Sequence, residues 1–301
     1  MKEYMLLEIE KKIASFIEQV DSSFVQELFA KIQHGKMLRS KLMLAICPKH
    51  PDIITLCAII EMIQIASLLH DDVIDEAHIR RGSPSINAVF GNKNAIMLGD
   101  IFYAQAFLKL TSFDRNIAQN VAECVVRLSR GEIHDVVMGN SFQESKERYF
   151  SMIEDKTASL IASSAKSAAI LANLDSEKYY TYGLNLGIAF QIIDDLLDVF
   201  GDEKKLGKPA MSDYAEGKTT LPYLLLYQSL SQADKQKLKS YFRISSMEAK
   251  EWISEKMQEK EIFEKTQDMA RFFANKALES IEGENNLKLE EIIKNMIYRE
   301  F

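Results

Sequence analysis

Residues 53–75 read IITLCAIIEMIQIASLLHDDVID, and this stretch decides the fold class. From Ile53 to Leu69 only Thr55, Glu61, Gln64 and Ser67 interrupt an apolar run that holds no glycine or proline. A helix that is apolar on every face is enclosed by other helices, so the segment predicts the inner helix of an all-α bundle. Tyr182 to Phe200 behaves likewise. Both stretches close on the same pattern, Asp71-Asp72-Val73-Ile74-Asp75 and Asp194-Asp195-Leu196-Leu197-Asp198. The expectation is two central helices that deliver acidic ends to one cavity.

On a helix the first, second and fifth positions of Asp-Asp-x-x-Asp fall within about a 100-degree arc, so three carboxylates share one face and repel one another. A solvated acidic face is the plain explanation for such a cluster. Here the neighbours are Leu68, Leu69, Ile192 and Ile193, which argues for a bound cation instead. Carboxylate oxygens with few neutral ligands suit hard cations, and Mg²⁺ in particular takes one or two protein carboxylates together with substrate phosphates. An EF-hand loop is excluded, because its glycine and terminal glutamate are missing.

Phosphates in the metal shell call for cationic side chains elsewhere. They occur in short pieces: Lys36 and Arg39 one turn apart, Arg80-Arg81 just after the first cluster, Lys156-Thr157, then Lys208 and Lys218 after the second cluster. Singly each reads as a surface charge; with the aspartates they describe a site for two diphosphates, one through metal and one through bare Lys and Arg.

The remainder of the chain is compatible with this. Its 301 residues are 47% hydrophobic and 27% charged, with a formal charge of -7, as in a soluble globular protein and unlike a nucleic-acid binder. The three cysteines, Cys47, Cys57 and Cys124, form no Cys-x-x-Cys pair and read as buried thiols of a reducing compartment. Met1-Lys2-Glu3-Tyr4 lacks the features of a signal peptide, and the best apolar stretch, Ala158 to Leu174, is broken by Lys166; a cytoplasmic protein is expected. With 12 glycines and 5 prolines there is little punctuation, strand signals are nearly absent, and helices are expected over 2–19, 22–32, 37–46, 52–77, 93–112, 114–138, 143–172, 176–200, 218–231, 233–242, 247–280 (with a possible break) and 286–299. No linker or repeat stands out, so residues 1–301 are expected to form one domain.

Taken in order, Gly35-Lys36-x-x-Arg39, Ser67-Leu68-Leu69-His70-Asp71-Asp72-Val73-Ile74-Asp75-Glu76, Arg80-Arg81-Gly82, Gly99-Asp100, Lys156-Thr157, Phe190-Gln191-Ile192-Ile193-Asp194-Asp195-Leu196-Leu197-Asp198, Leu206-Gly207-Lys208-Pro209 and Glu216-Gly217-Lys218-Thr219-Thr220-Leu221-Pro222 resemble the trans-type (head-to-tail) isoprenyl diphosphate synthases. The bacterial long-chain polyprenyl diphosphate synthases are the nearest type. The resemblance implies a bundle of antiparallel helices around a central cavity, the isoprenoid synthase fold, as a homodimer. It implies that Asp71, Asp75 and Asp194 bind metal most directly, that Asp72, Asp195 and Asp198 complete the acidic walls, and that three Mg²⁺ hold an allylic diphosphate. Arg80, Lys156, Thr157, Gln191, Lys208 and Lys218 would contact that diphosphate; Lys36, Arg39, Gln64 and Arg81 would hold isopentenyl diphosphate. Gln64 stands where long-chain members commonly have His, His34 and Ser40 replace a usual Gly and Pro, and Met211 replaces a usual Gly.

The implied chemistry is ionisation of the allylic diphosphate, attack by the isopentenyl double bond, and proton loss to the released diphosphate. His70 reads as structural rather than as a base. Elongation stops where the cavity ends. Ala66 and Ser67 lie about 6 to 7.5 Å behind Asp71 along the helix, where a growing tail descends. In this family aromatic residues near those positions mark short-chain enzymes, and here both are small. An eight-unit tail needs a tunnel of very roughly 35 Å, close to the length of the 53–75 helix. Products of thirty to fifty carbons, with forty as the centre, are expected, destined for quinone side chains and with transient membrane contact at release. A class I terpene cyclase would carry a different second metal motif, and a non-catalytic subunit of a heteromeric synthase would have lost aspartates or basic residues.

Overall fold

Helices carry most of the described residues, as the scarcity of helix-breaking residues favours. The computed structural model describes residues 2–33, 35–201, 210–284 and 286–297. In order these hold α1 (Lys2–Glu18), α2 (Ser23–Phe29), α3 (Leu38–Ile46), α4 (Ile53–Ile74), β1 (Ile79–Arg80), β2 (Ser83–Pro84), α5 (Ile86–Phe90), α6 (Asn92–Leu110) and α7 (Arg115–Met138). They continue with α8 (Lys146–Ile153), a π-helical turn (Glu154–Ala158), α9 (Ser159–Leu171), α10 (Ser176–Phe200), α11 (Ser212–Glu216), α12 (Leu221–Ser229), α13 (Gln232–Ser240), α14 (Met247–Glu259), α15 (Ile262–Ser280) and α16 (Leu287–Ile297). The chain divides into two compact units, residues 1–126 with 160–183 and residues 127–159 with 184–301.

In the first unit α4 packs against α1, α3, α5 and α6. Leu56, Ile59, Ile60 and Ile63 are completely buried, which is the enclosure its all-round apolar sequence called for. By length and hydropathy α4 could cross a bilayer, and it exceeds in this respect the Ala158 to Leu174 stretch that the sequence singled out; most of its apolar window is buried, as in a core helix.

The second unit is centred on α12, which contacts α8, α14 and α15. Tyr214, Tyr223, Leu226, Leu238, Met257 and Ile262 form its core, with the Tyr214 and Tyr223 rings stacked at 4.2 Å and 13°. The Tyr214 hydroxyl donates to the Leu238 carbonyl (2.8 Å), so the buried phenol is satisfied.

Observed and expected elements differ in several places. The expected 143–172 helix starts only at Lys146, where Ser145 caps it (3.2 Å to the Arg148 amide), and it is broken by the π-helical turn. The expected 218–231 helix starts at Leu221, because Pro222 fits the first turn, where no amide is needed. β1 and β2 form a two-residue hairpin whose turn residues, Arg81 (φ 53°) and Gly82 (φ 76°), both take the left-handed backbone that such hairpins require.

Candidate active site

Both aspartate clusters occupy the carboxyl ends of apolar helices, α4 and α10, whose last turns contain no basic residue. The unsatisfied carbonyls there carry partial negative charge, so three added carboxylates are doubly unfavourable without an external cation.

In the first unit Asp72 is the buried member, and Arg80 on β1 donates to its Oδ1 from Nε (2.8 Å) and from Nη2. Asn87 holds the Asp72 carbonyl (3.0 Å), which ties α5 to the end of α4. Asp71 is half-buried and Asp75 is exposed at the helix cap. Arg80, expected against diphosphate, therefore lies first against a carboxylate. His70 contacts the Ile96 carbonyl through Nε2 (3.1 Å) and sits 3.5 Å from Asp100, with its ring over Gly99, where a Cβ would meet Nε2 at 2.3 Å. These contacts fix the ring between α4 and α6.

The first basic motif gathers on the same unit. Arg81 donates from Nη1 to the Gln33 carbonyl (2.6 Å), and its guanidinium covers Gly35, where a Cβ would lie 2.6 Å from Nη2. Arg39 is desolvated, which lowers its pKa against the pull of Glu61, and its Nε is buried without a partner. Glu61, one of the four polar breaks in the apolar run, accepts from the Ser40 amide (3.2 Å) and hydroxyl (2.6 Å). Ser40 thus supplies two donors where the family's usual proline has neither. Lys36 is exposed and Gln64 half-buried; Ala66 is fully buried and Ser67 returns its hydroxyl to the Gln64 carbonyl (3.0 Å). A cavity of about 40 Å³ is bounded by Ile65, Leu68, Asp72, Arg80 and Arg81.

The second unit holds a cavity of about 130 Å³ lined by Lys156, Thr157, Gln191, Asp195, Asp213 and Lys218, among others. A hydrogen-bonded chain forms one wall: Thr157 Oγ1 donates to Gln191 Oε1 (2.7 Å), Gln191 Nε2 to Asp195 Oδ1 (2.8 Å), and the Tyr149 hydroxyl to Asp195 Oδ2 (2.5 Å). Burial pushes the Asp195 carboxyl up to about 8; Tyr149 and Gln191 oppose that rise, while Asp213 and Asp194 add to it. Asp194 is half-buried. Asp198 is buried and accepts from Ser212 Oγ (2.7 Å) and the Asp213 amide (3.2 Å), so it fastens α11 to α10. Met211, at φ 61°, sits in the left-handed conformation that a glycine takes without strain, which explains the family's usual residue there. Lys156 Nζ is held by Glu132 (2.8 Å) and Asp135 (2.5 Å), and Lys218 lies 3.4 Å from Glu216. Lys208, with Leu206 to Pro209, falls outside the described residues, as does His34.

Four residues at these sites escaped the sequence reading, Glu132, Asp135, Tyr149 and Asp213, and so did the pairing of Glu61 with Ser40. Glu132 and Asp135 had a signal in their i, i+3 spacing beside Gly131; Tyr149 had none, since a buried tyrosine reads as core. Among the described residues no three His, Cys, Asp or Glu side chains converge as a ready-made metal site, so an ion held by these carboxylates needs further oxygens, which diphosphates supply.

The family model for polyprenyl synthetase matches residues 22–259. Octaprenyl diphosphate synthase of Escherichia coli (strain K12) is 41% identical over 175 residues, 57% of this chain and 54% of that protein. Mitochondrial solanesyl-diphosphate synthase 1 of Oryza sativa subsp. japonica is 35% identical over 229 residues, 75% of this chain and 53% of that one. The chain thus spans about half the length of these curated relatives. The crystal structure of octaprenyl pyrophosphate synthase from Helicobacter pylori superposes with a TM-score of 0.96 at 53% identity, covering 99% of this chain and 100% of that one.

Proposed function

Since the chain belongs to the polyprenyl synthetase family, we propose that it is a Mg²⁺-dependent prenyltransferase that condenses isopentenyl diphosphate onto an allylic diphosphate such as farnesyl diphosphate. Its product is a long-chain all-trans polyprenyl diphosphate of about thirty to fifty carbons, centred on forty, serving quinone side chains. The names of the octaprenyl and solanesyl relatives support that range, and the small, buried Ala66 supports a long tail. One observation carries the reading: two aspartate triplets at the negative ends of apolar helices, in a chain that also holds the desolvated Arg39 guanidinium with its Nε buried and unpartnered.

Asp71, Asp75 and Asp194 are the Mg²⁺ ligands in this reading, as the family resemblance implies; Asp72 is engaged by Arg80, Asp195 by Tyr149 and Gln191, and Asp198 by Ser212 and the Asp213 amide. Bound Mg²⁺ supplies Lewis-acid neutralisation of the charge that develops on the departing diphosphate. Lys156, Thr157, Gln191, Lys208 and Lys218 bind and orient the allylic diphosphate, and Arg80 contributes its remaining donor capacity. Lys36, Arg39, Gln64 and Arg81 hold isopentenyl diphosphate; the unpartnered, buried Nε of Arg39 is a donor suited to an anionic oxygen. The allylic carbon–oxygen bond breaks with its electron pair leaving on diphosphate. The isopentenyl double bond then bonds to the allylic carbon, and the proton it sheds passes to the released diphosphate. No side-chain nucleophile is required.

Both units belong to one catalytic domain in this reading, since the family match runs through both. A homodimer is supported by the exposed apolar face of α7, where Ile133, Val136 and Val137 are 63%, 50% and 60% exposed. A cytoplasmic location and brief membrane contact at product release belong to the same proposal. Asp71→Ala and Asp194→Ala test it: each abolishes Mg²⁺-dependent condensation while circular dichroism stays helical, and near-normal turnover in either variant sinks the metal assignment.

A further inference from the structure

Lys156 and Thr157 lie on the π-helical turn Glu154–Ala158, an arrangement that inserts an extra residue into a helix and needs neighbours to stabilise it. α7 grips this turn with alternating charge. Asp155, only 2% exposed, accepts from Arg127 Nε (2.9 Å on Oδ1) and from Arg130 Nε (2.6 Å on Oδ2) and Nη2 (2.8 Å on Oδ1). Arg127 Nη2 reaches back to Glu154 Oε1 (2.7 Å). The next residue, Lys156, is met from the same helix by Glu132 and Asp135. Between the two grips Gly131 lets the backbones touch, because a Cβ there would lie 2.3 Å from the Lys156 nitrogen.

The two grips differ in what substrate does to them. Lys156, Thr157 and Asp135 line the cavity, whereas Asp155, Arg127 and Arg130 do not. A diphosphate that takes up the Lys156 ammonium competes with Glu132 and Asp135 for it. The Asp155 bonds involve no residue of that lining, so a diphosphate there does not compete for them. Burial pushes the Asp155 carboxyl up, and Arg130 and Arg127 more than offset this, leaving it below the ordinary carboxylate range.

We propose that Asp155, clamped by Arg127 and Arg130, is the positioning residue of the allylic site: it fixes the π-helical turn so that Lys156 and Thr157 meet the diphosphate in register. The inference rests on the reading of Lys156 and Thr157 as diphosphate contacts. It makes Asp155 a residue that acts through the backbone and touches no substrate.

The test compares Asp155→Asn, Arg130→Gln and Lys156→Ala in the full chain, with separate KM values for farnesyl diphosphate and isopentenyl diphosphate and with kcat. The Arg130 side chain is 56% exposed, so its variant folds even if Asp155→Asn does not. Expected for Asp155→Asn is an allylic KM raised about tenfold with kcat reduced, and an isopentenyl KM within about twofold of the parent; Arg130→Gln gives the same pattern at about threefold. A merely structural role lowers kcat through loss of active protein and leaves both KM values alone, and that result overturns the proposal. If Lys156→Ala raises the allylic KM while folded Asp155→Asn and Arg130→Gln do not, the clamp alone is wrong. If Lys156→Ala leaves that KM unchanged, the underlying site assignment falls, and the clamp with it.

Discussion

Gly131→Ala adds one methyl group on α7, and its consequence can be worked from the coordinates. The new Cβ would lie 2.3 Å from the Lys156 nitrogen, 2.7 Å from its Cα and 2.9 Å from the Asp155 carbonyl carbon. Ordinary carbon contacts begin near 3.5 Å, so α7 and the π-helical turn must part by about an ångström. All three obstructing atoms are backbone, so no side chain can swing aside. Overpacking of this kind costs about 1–3 kcal/mol, against which alanine regains about 1 kcal/mol of helix propensity over glycine. A net loss of up to about 2 kcal/mol lowers the melting temperature by up to roughly 3 °C in a protein of this size. The functional effect is larger, because an ångström of misplacement at Lys156 and Thr157 costs about a hundredfold in kcat/KM for the allylic substrate. Calorimetry and steady-state kinetics read the two effects. Gly139→Ala is the stability control: its Cβ meets nothing nearer than 3.5 Å, and its melting temperature stays at the parent value. A Gly131→Ala protein that melts higher than the parent and turns over normally refutes the close-approach argument.

Two further outcomes follow from the same structure. Ala66→Phe shortens the product, seen as a shift to smaller prenyl alcohols after dephosphorylation, and because Ala66 is fully buried it also costs about 1–3 kcal/mol of stability; an unchanged product distribution removes Ala66 from the tunnel. Ile133→Glu with Val137→Glu places charge on the exposed apolar face of α7, and analytical ultracentrifugation is expected to show monomer; a retained dimer moves the interface elsewhere.

The inner helices were legible because an all-round apolar run of helical length has one home, inside other helices, and α4 spans Ile53–Ile74 much as that run predicts. The aspartates were legible because their spacing places them on one helix face whatever surrounds them. The π-helical turn was not, since 143–172 reads as uninterrupted helix and the turn is specified from outside it, by Arg127, Arg130 and Gly131 on α7. The Arg81-Gly82 hairpin was invisible to periodicity because its strands are two residues long, and only the Gly82-Ser83-Pro84 punctuation hinted at a break. Glu61 showed in the sequence as a break in an apolar helix, but its partner Ser40 lies on α3 and only tertiary structure joins them. Likewise Arg80 read as a phosphate ligand by its motif, and the fold shows it first as the counter-ion of Asp72.

The central claim is that this chain extends prenyl chains, and the most direct measurement is chromatography, by chain length, of what the purified protein alone makes from farnesyl diphosphate and labelled isopentenyl diphosphate. The account predicts label in linear polyprenyl diphosphates of about thirty to fifty carbons, lost on chelation of Mg²⁺. Label that stays in unreacted isopentenyl diphosphate, or farnesyl diphosphate converted to a cyclic hydrocarbon, contradicts it.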